Sequence, residues 1–167
     1  MEKGFFMDDC STKRVDIVRL KMVRESSLLS QGKVESPVDA HEIFRQFLGS
    51  DSDRELCAVL CLDIKKRPTL INLVSIGSLD STLIHPREVY KSAILANSAS
   101  IICAHWHPSG DCGPSIEDLK ITDRLVRAGE IIGIELLDHL ILVDHGYFSF
   151  RENGYIVGDL RFASEAF

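Results

Sequence analysis

Two histidines near the middle of the chain have the type and spacing of metal ligands. His105 and His107 are separated by one residue, and they follow the apolar run that ends at Cys103. Alternate side chains of a strand project from one face, so a strand here would point both imidazoles the same way. Histidine is a common metal ligand in proteins. Two imidazoles on one face, at the exit of a strand into a loop, can therefore bind one metal ion.

The third candidate ligand is Asp118, which follows Ser115 at the spacing of a helix start. A Ser-x-x-Asp pattern usually forms a helix cap, in which both side chains bond backbone amides of the first turn. Here it also follows the histidines after a loop of seven residues. Catalytic zinc sites typically use three protein ligands and leave a fourth position for water. The pattern indicates a zinc site formed by the two histidines and Asp118, and the alternative is a plain helix cap.

The whole arrangement resembles a known motif. His-x-His, seven residues and Ser-x-x-Asp match the JAMM motif of JAB/MPN metallohydrolases without a gap. Two longer stretches resemble the RadC-like branch of that superfamily, namely HWHPSGDCGPSIEDLKITDRLVRAGEIIGIELLDHLIL and GSLDSTLIHPREVYKSAILANSASII. The resemblance covers roughly residues 38–155, and Trp106 departs from it where the branch usually has Asn. It implies an α/β (α+β) fold, an α-β-α sandwich with a mixed sheet that is similar to cytidine deaminases, with Zn²⁺ as the cofactor.

The resemblance also implies which residues handle protons. In JAB/MPN proteins a glutamate at the start of an earlier strand activates the attacking water, and Glu55 is the residue at the matching position. Without the resemblance, Glu55 would be interpreted as a solvated acid beside Arg54. Ser115 would help to polarise the substrate carbonyl if its hydroxyl faces the site, and it would lose that role if the hydroxyl caps the helix.

Other polar residues could act as ligands or support a ligand. Cys103 shares a strand face with the histidines and Cys112 lies in the loop, so each is a rival thiolate ligand. His85 directly precedes a helix start, which favours a cap or surface role over ligation. Asp138 and His139 are expected to form a buried hydrogen-bonded pair, and support of a metal ligand is the less favoured alternative.

The composition is that of an ordinary globular domain. The chain has 167 residues, of which 45% are hydrophobic and 26% charged, enough for one domain with a substantial core. Its net charge of −6 argues against a strong non-specific grip on nucleic acid, which depends on phosphate neutralisation. No uncharged apolar run approaches the about 18 residues that a membrane span needs. The five cysteines are odd in number, and the opening residues do not resemble a secretion signal, so a reducing, cytoplasmic location is expected.

Apolar periodicity predicts the elements that hold these residues. We expect an N-terminal extension with one strand, residues 1–35, and a RadC-like JAB/MPN domain, residues 36–160. The expected strands are 15–23, 55–63, 69–76, 101–107, 133–143 and 146–150, and the expected helices are 36–48, 86–96 and 116–128. Alternating strands and helices with one hairpin predict a mixed sheet flanked by helices.

The leading functional hypothesis is a zinc-dependent hydrolase of the JAMM type that cleaves peptide or isopeptide bonds in a peptide or protein substrate. RadC-like proteins are also associated with DNA repair and recombination, so the alternative is an accessory protein or nuclease without peptidase activity. A catalytically silent scaffold is a third reading, and the complete ligand set argues against it. The sequence leaves the substrate and the oligomeric state open, a homodimer included.

Overall fold

A computed structural model describes residues 14–30, 32–49, 52–77 and 84–157, together with the backbone of 161–162. Within these residues the chain forms three helices and seven strands. None of these helices combines the length and the apolar character that crossing a bilayer requires. The elements are α1 Pro37–Leu48, β1 Leu56–Leu62, β2 Pro68–Ile76, α2 Pro86–Leu95, β3 Ser100–Trp106, α3 Ile116–Ile132, β4 Glu135–Val143, β5 Gly146–Ser149, β6 Ile156–Val157 and β7 Arg161–Phe162.

Five of the strands form one mixed sheet in the order β2-β1-β3-β4-β5. Strand β1 is antiparallel to both of its neighbours, and β3 is parallel to β4. Parallel neighbours need a long crossover connection, and α3 provides it between β3 and β4. The three central strands are buried along almost their whole length, as their apolar runs predict. Strands β6 and β7 pair separately.

Helices cover both faces of this sheet. On one face, α1 packs its apolar stripe with the fully buried Phe44 against Leu60 and Leu140. On the other face, α2 and α3 pack over a cluster that includes Cys57 and Ile141. Each face of the sheet therefore has its own core, and the α-β-α sandwich with a mixed sheet that the sequence predicts is confirmed.

Trp106 lies on the α1 face of the sheet, away from the two histidines. It is 2% exposed, and its indole Nε1 donates a hydrogen bond to the carbonyl oxygen of Ser52 at 3.1 Å. The guanidinium carbon of Arg45 lies 5.8 Å from its ring centre. The departure from the usual Asn therefore changes packing beneath α1, as strand alternation predicts.

The strand predicted over residues 15–23 is not formed. Residues 14–30 contain neither helix nor strand, and Val15 and Leu29 are 88% and 90% exposed. An alternating pattern stabilises a strand only where a neighbouring strand accepts its backbone hydrogen bonds. In this structure the five strands of the main sheet pair with one another and not with this segment.

The other predicted boundaries agree with the structure to within one residue, except around the end of α3. This helix continues to Ile132, beyond the predicted end at residue 128. It ends at Gly133, which has a φ of 78° in the left-handed region that glycine adopts without steric cost. Strand β4 consequently begins at Glu135 and not at the predicted residue 133.

At Gly129, α3 lies close to neighbouring parts of the structure. A Cβ atom at this position would lie 2.6 Å from Tyr90 Oη and 2.6 Å from the carbonyl oxygen of Ile134. We expect Gly129→Ala to lower the free energy of unfolding by about 1–2 kcal/mol, because relieving the clash shifts packed backbone and outweighs the better helix propensity of alanine. Urea unfolding measures the change. Gly146→Ala, where a Cβ would meet no atom within 4 Å, is the control and should stay within about 0.5 kcal/mol of wild type.

Candidate metal centre

His105 and His107 lie where β3 runs out into the loop before α3. His105 is the penultimate residue of the strand and is 2% exposed, and His107 directly follows the strand. Their Nε2 atoms are 2.8 Å apart. Both imidazoles therefore face one point, as the spacing predicts.

Asp118 is the third residue of α3 and reaches the same point. Its Oδ1 atom lies 3.1 Å from Nε2 of His105, and its Oδ2 atom lies 3.8 Å from Nε2 of His107. The ligand atoms of the three residues all lie within 4.8 Å of one another. Among the residues that the structure describes, this is the one group of three that could hold a metal ion.

Ser115 and Asp118 also form the helix cap that was the alternative interpretation. The Ser115 hydroxyl accepts a hydrogen bond from the Asp118 backbone N–H at 3.1 Å and donates to Asp118 Oδ2 at 2.6 Å. The Ser115 backbone N–H donates to the same Oδ2 at 2.8 Å. The cap and the metal centre are compatible, because Oδ1 still faces His105. The hydroxyl proton of Ser115 is directed at the aspartate, so in this conformation Ser115 orients the candidate ligand Asp118 and does not donate toward a substrate.

The same cap occurs a second time, at the start of α1. Ser36 and Asp39 form a capping box with the same pattern of hydrogen bonds. The histidines beside Asp118 are what distinguish the metal centre from an ordinary helix start.

A buried chain of side chains connects His105 back to α3. His105 Nδ1 lies 2.9 Å from His139 Nε2, and His139 Nδ1 lies 2.7 Å from Thr122 Oγ1. Thr122 Oγ1 lies 2.6 Å from the carbonyl oxygen of Asp118. The ring of Phe150 stacks on His139, with centres 4.9 Å apart. The chain starts at one candidate ligand, His105, and ends at another, Asp118, and both intermediate residues are fully buried.

Asp138 does not bond the His139 ring, contrary to the favoured expectation. Its carboxylate accepts hydrogen bonds from the Ser149 hydroxyl at 2.6 Å and from the backbone N–H groups of Arg151 and His139 at 3.0 and 2.7 Å. Successive strand residues point to opposite faces of a sheet, which separates the two side chains. The imidazole of His139 instead contacts a candidate ligand, the alternative that the sequence disfavoured.

Hydrogen bonds place the proton of His107 and, where His139 is neutral, that of His105. His107 Nδ1 lies 2.8 Å from the carbonyl oxygen of Asp111, which can only accept, so this nitrogen carries the proton. Thr122 in turn donates its hydroxyl proton to the Asp118 carbonyl and accepts from His139 Nδ1. A neutral His139 then accepts from His105 Nδ1. In this arrangement Nε2 of His105 and Nε2 of His107 both keep their lone pairs and face each other.

The pKa shifts of His105 and Asp118 agree with this assignment, whereas burial lowers the pKa of His139 but the neighbouring Cys103 raises it overall. Burial lowers the pKa of His105 to about 4, so its imidazole is neutral at neutral pH. Burial raises the pKa of Asp118, but the contact with His105 and the hydrogen bonds from Ser115 outweigh it and hold that pKa well below its usual range. Neutral imidazoles and a charged carboxylate are the forms that bind a divalent metal.

Glu55 precedes β1 at the same end of the sheet. In the pairing of β1 with β3, Leu56 lies opposite Trp106, and Glu55 and His107 are the next residue of each chain segment beyond this pair. The backbone N–H of Gly77 donates to the Glu55 carbonyl at 2.8 Å and fixes the entrance of the strand. Facing residues of paired strands lie on one side of the sheet. Glu55 on the side of the histidines would continue this register one residue beyond the strand.

The rival ligands lie outside the group. Cys103 is fully buried, with its Sγ 3.7 Å from Sγ of Cys57, and Cys112 is exposed in the loop. His85 is the N-cap residue of α2 and makes no side-chain capping bond. The cap position predicted for His85 is confirmed.

Comparison with known proteins agrees with this picture. A family described as "RadC-like JAB domain" matches residues 34–155. A UPF0758 protein of Thermotoga maritima is 51% identical over 102 residues, which are 61% of this chain and 46% of that protein. A UPF0758 protein of Methanosarcina barkeri is 41% identical over 124 residues, 74% of this chain and 54% of that protein. A UPF0758 protein of Geobacillus sp. is 42% identical over 150 residues, 87% of this chain and 66% of that protein.

An α-β-α sandwich with a His-His-Asp group at the end of a central strand is the arrangement of the JAMM-related metallohydrolase superfamily. Within that superfamily, the chain belongs to the RadC-like JAB domain family. The chain spans about half the length of the first two of these relatives.

Proposed function

We propose that this chain is a zinc-dependent hydrolase that cleaves an amide bond of the peptide or isopeptide type. The observation that carries the proposal is that three hydrogen-bond acceptors, one from each candidate ligand, lie close together. Two unprotonated Nε2 atoms 2.8 Å apart and a carboxylate oxygen 3.1 Å from one of them repel one another, and a cation between them turns that repulsion into binding.

The donor set fits zinc better than the harder divalent ions. Two imidazole nitrogens and one carboxylate oxygen form a ligand set typical of catalytic zinc, whereas magnesium and calcium prefer oxygen ligands. His105, His107 and Asp118 would hold the ion. A bound Zn²⁺ supplies a Lewis acid that polarises a carbonyl group and makes water acidic enough to lose a proton near neutral pH.

Glu55 and Ser115 have separate roles in the proposed reaction. The Glu55 carboxylate takes a proton from the attacking water while the water oxygen bonds to the amide carbon. When the carbon–nitrogen bond breaks, Glu55 returns that proton to the leaving nitrogen. Ser115 holds the Asp118 carboxylate in place through the cap. The amide substrate class rests on the resemblance to JAMM proteins.

Metal content and hydrolysis test this proposal together. Protein stripped with a chelator and then dialysed against Zn²⁺ should retain about one ion per chain after gel filtration, measured by elemental analysis. The reloaded protein should release new amino groups from a library of peptides and isopeptide-linked conjugates, and the stripped protein should not. Protein that takes up no zinc would overturn the proposal. Uptake of zinc without cleavage of any amide would overturn the substrate class.

A further inference from the structure

His139 and Thr122 have no place in the reaction above, yet both are 0% exposed and both are fully engaged with the candidate ligands. They come from different elements, β4 and α3, and meet behind His105. Thr122 lies one helical turn after Asp118, and its hydroxyl donates to the backbone carbonyl of Asp118. The same hydroxyl oxygen accepts a hydrogen bond from His139 Nδ1. The pair therefore contacts two of the candidate ligands, His105 through His139 and Asp118 through Thr122.

The direction of this chain of hydrogen bonds determines what His105 can do. In the direction derived above, His105 Nδ1–H donates to His139, and Nε2 keeps its lone pair for a metal. In the other tautomer of His105, Nε2–H would donate to Asp118 Oδ1 at 3.1 Å and compete with metal binding. The buried Nδ1 would then face His139 Nε2, lone pair against lone pair. The Thr122 hydroxyl thus selects the metal-binding tautomer of His105 through two successive hydrogen bonds, with His139 between them.

We propose that Thr122 and His139 are positioning residues that hold His105 in the tautomer and orientation that bind the metal, and thereby set the zinc affinity of the centre. This inference rests on the proposed zinc-dependent function. Partners that orient a ligating histidine typically contribute about 10–100-fold to metal affinity. The stacking of Phe150 on His139 adds a steric restraint on the same ring.

Thr122→Val and Thr122→Ser form the matched pair of variants. Valine keeps the shape but lacks the hydroxyl, and serine restores the hydroxyl. We expect Thr122→Val to bind Zn²⁺ about 10–100-fold more weakly in competition with a chromophoric chelator, and Thr122→Ser to return close to wild type. His139→Phe should weaken zinc binding at least as much as Thr122→Val if the variant folds.

Nitrogen NMR of the zinc-free protein gives a second readout that a merely structural role would not move. Long-range ¹H–¹⁵N spectra identify which ring nitrogen of His105 is protonated. We expect Nδ1–H in wild type and Thr122→Ser, and a substantial Nε2–H population in Thr122→Val. The same spectra also record whether His139 carries one proton, as accepting a hydrogen bond from His105 Nδ1 requires.

The outcomes separate this inference from the proposed function. No zinc uptake by wild type would overturn the function itself. Normal zinc binding by wild type and Thr122→Val alike, with an unchanged tautomer of His105, would overturn only the positioning role. A His139 ring protonated at both nitrogens in wild type would also overturn it, because that ring could not accept from His105.

Discussion

Asp118→Ala is expected to weaken zinc binding by more than the about 10–100-fold that loss of a supporting hydrogen bond costs. The variant removes one of the three proposed ligands and the one negative charge among them, with Oδ1 only 3.1 Å from His105 Nε2. Competition with a chelator of known affinity measures the change, and elemental analysis should find little zinc after gel filtration.

The chain provides its own control for this variant. Asp39 occupies the same position in the capping box of α1, where Ser36 donates to its carboxylate from both backbone and side chain. Asp39→Ala removes a comparable cap, worth about 1 kcal/mol, without touching the metal centre. We expect Asp39→Ala to bind zinc like wild type and only Asp118→Ala to lose it. Equal zinc binding in the two variants would exclude Asp118 as a ligand.

Glu55→Gln is expected to retain zinc and to lose hydrolysis. Glutamine preserves the size of the side chain but cannot accept a proton, and general base and acid catalysis typically contributes about 10²–10⁴-fold. The rate of amide cleavage, measured at one zinc per chain, should fall by that factor.

Glu135→Gln is the matched control for Glu55→Gln. Glu135 pairs with Ser100 at the opposite end of β3 from the histidines, so its charge lies far from the reaction. This variant should cleave at the wild-type rate. Wild-type activity in Glu55→Gln would assign the proton transfer to another group.

Much of the molecule follows from local pattern. The central strands and the helices are each identified by apolar period and by caps such as Ser36 and Gly133. The candidate ligands can also be predicted from the sequence. His105, His107 and Asp118 lie within one short stretch, and the strand and the helix in it fix the directions of their side chains.

What the sequence did not predict depends on long-range pairing. The contact of His139 with His105 exists because α3 returns the chain to a parallel neighbour of β3, and the adjacent Asp138 offered a more obvious partner. Residues 15–23 carry a strand pattern but find no strand to pair with in the described structure. Both outcomes are set by tertiary neighbours and not by local preference.

The proximity of the three ligands along the chain has a thermodynamic consequence. All three fall between positions 105 and 118, so closing a loop around one ion costs little entropy even in a denatured chain. Zinc would then retain some affinity for the unfolded state, and its effect on the melting temperature would be smaller than the native dissociation constant implies. The contact of His105 with His139 spans 34 positions, so any zinc affinity that this contact adds arises only once the protein has folded.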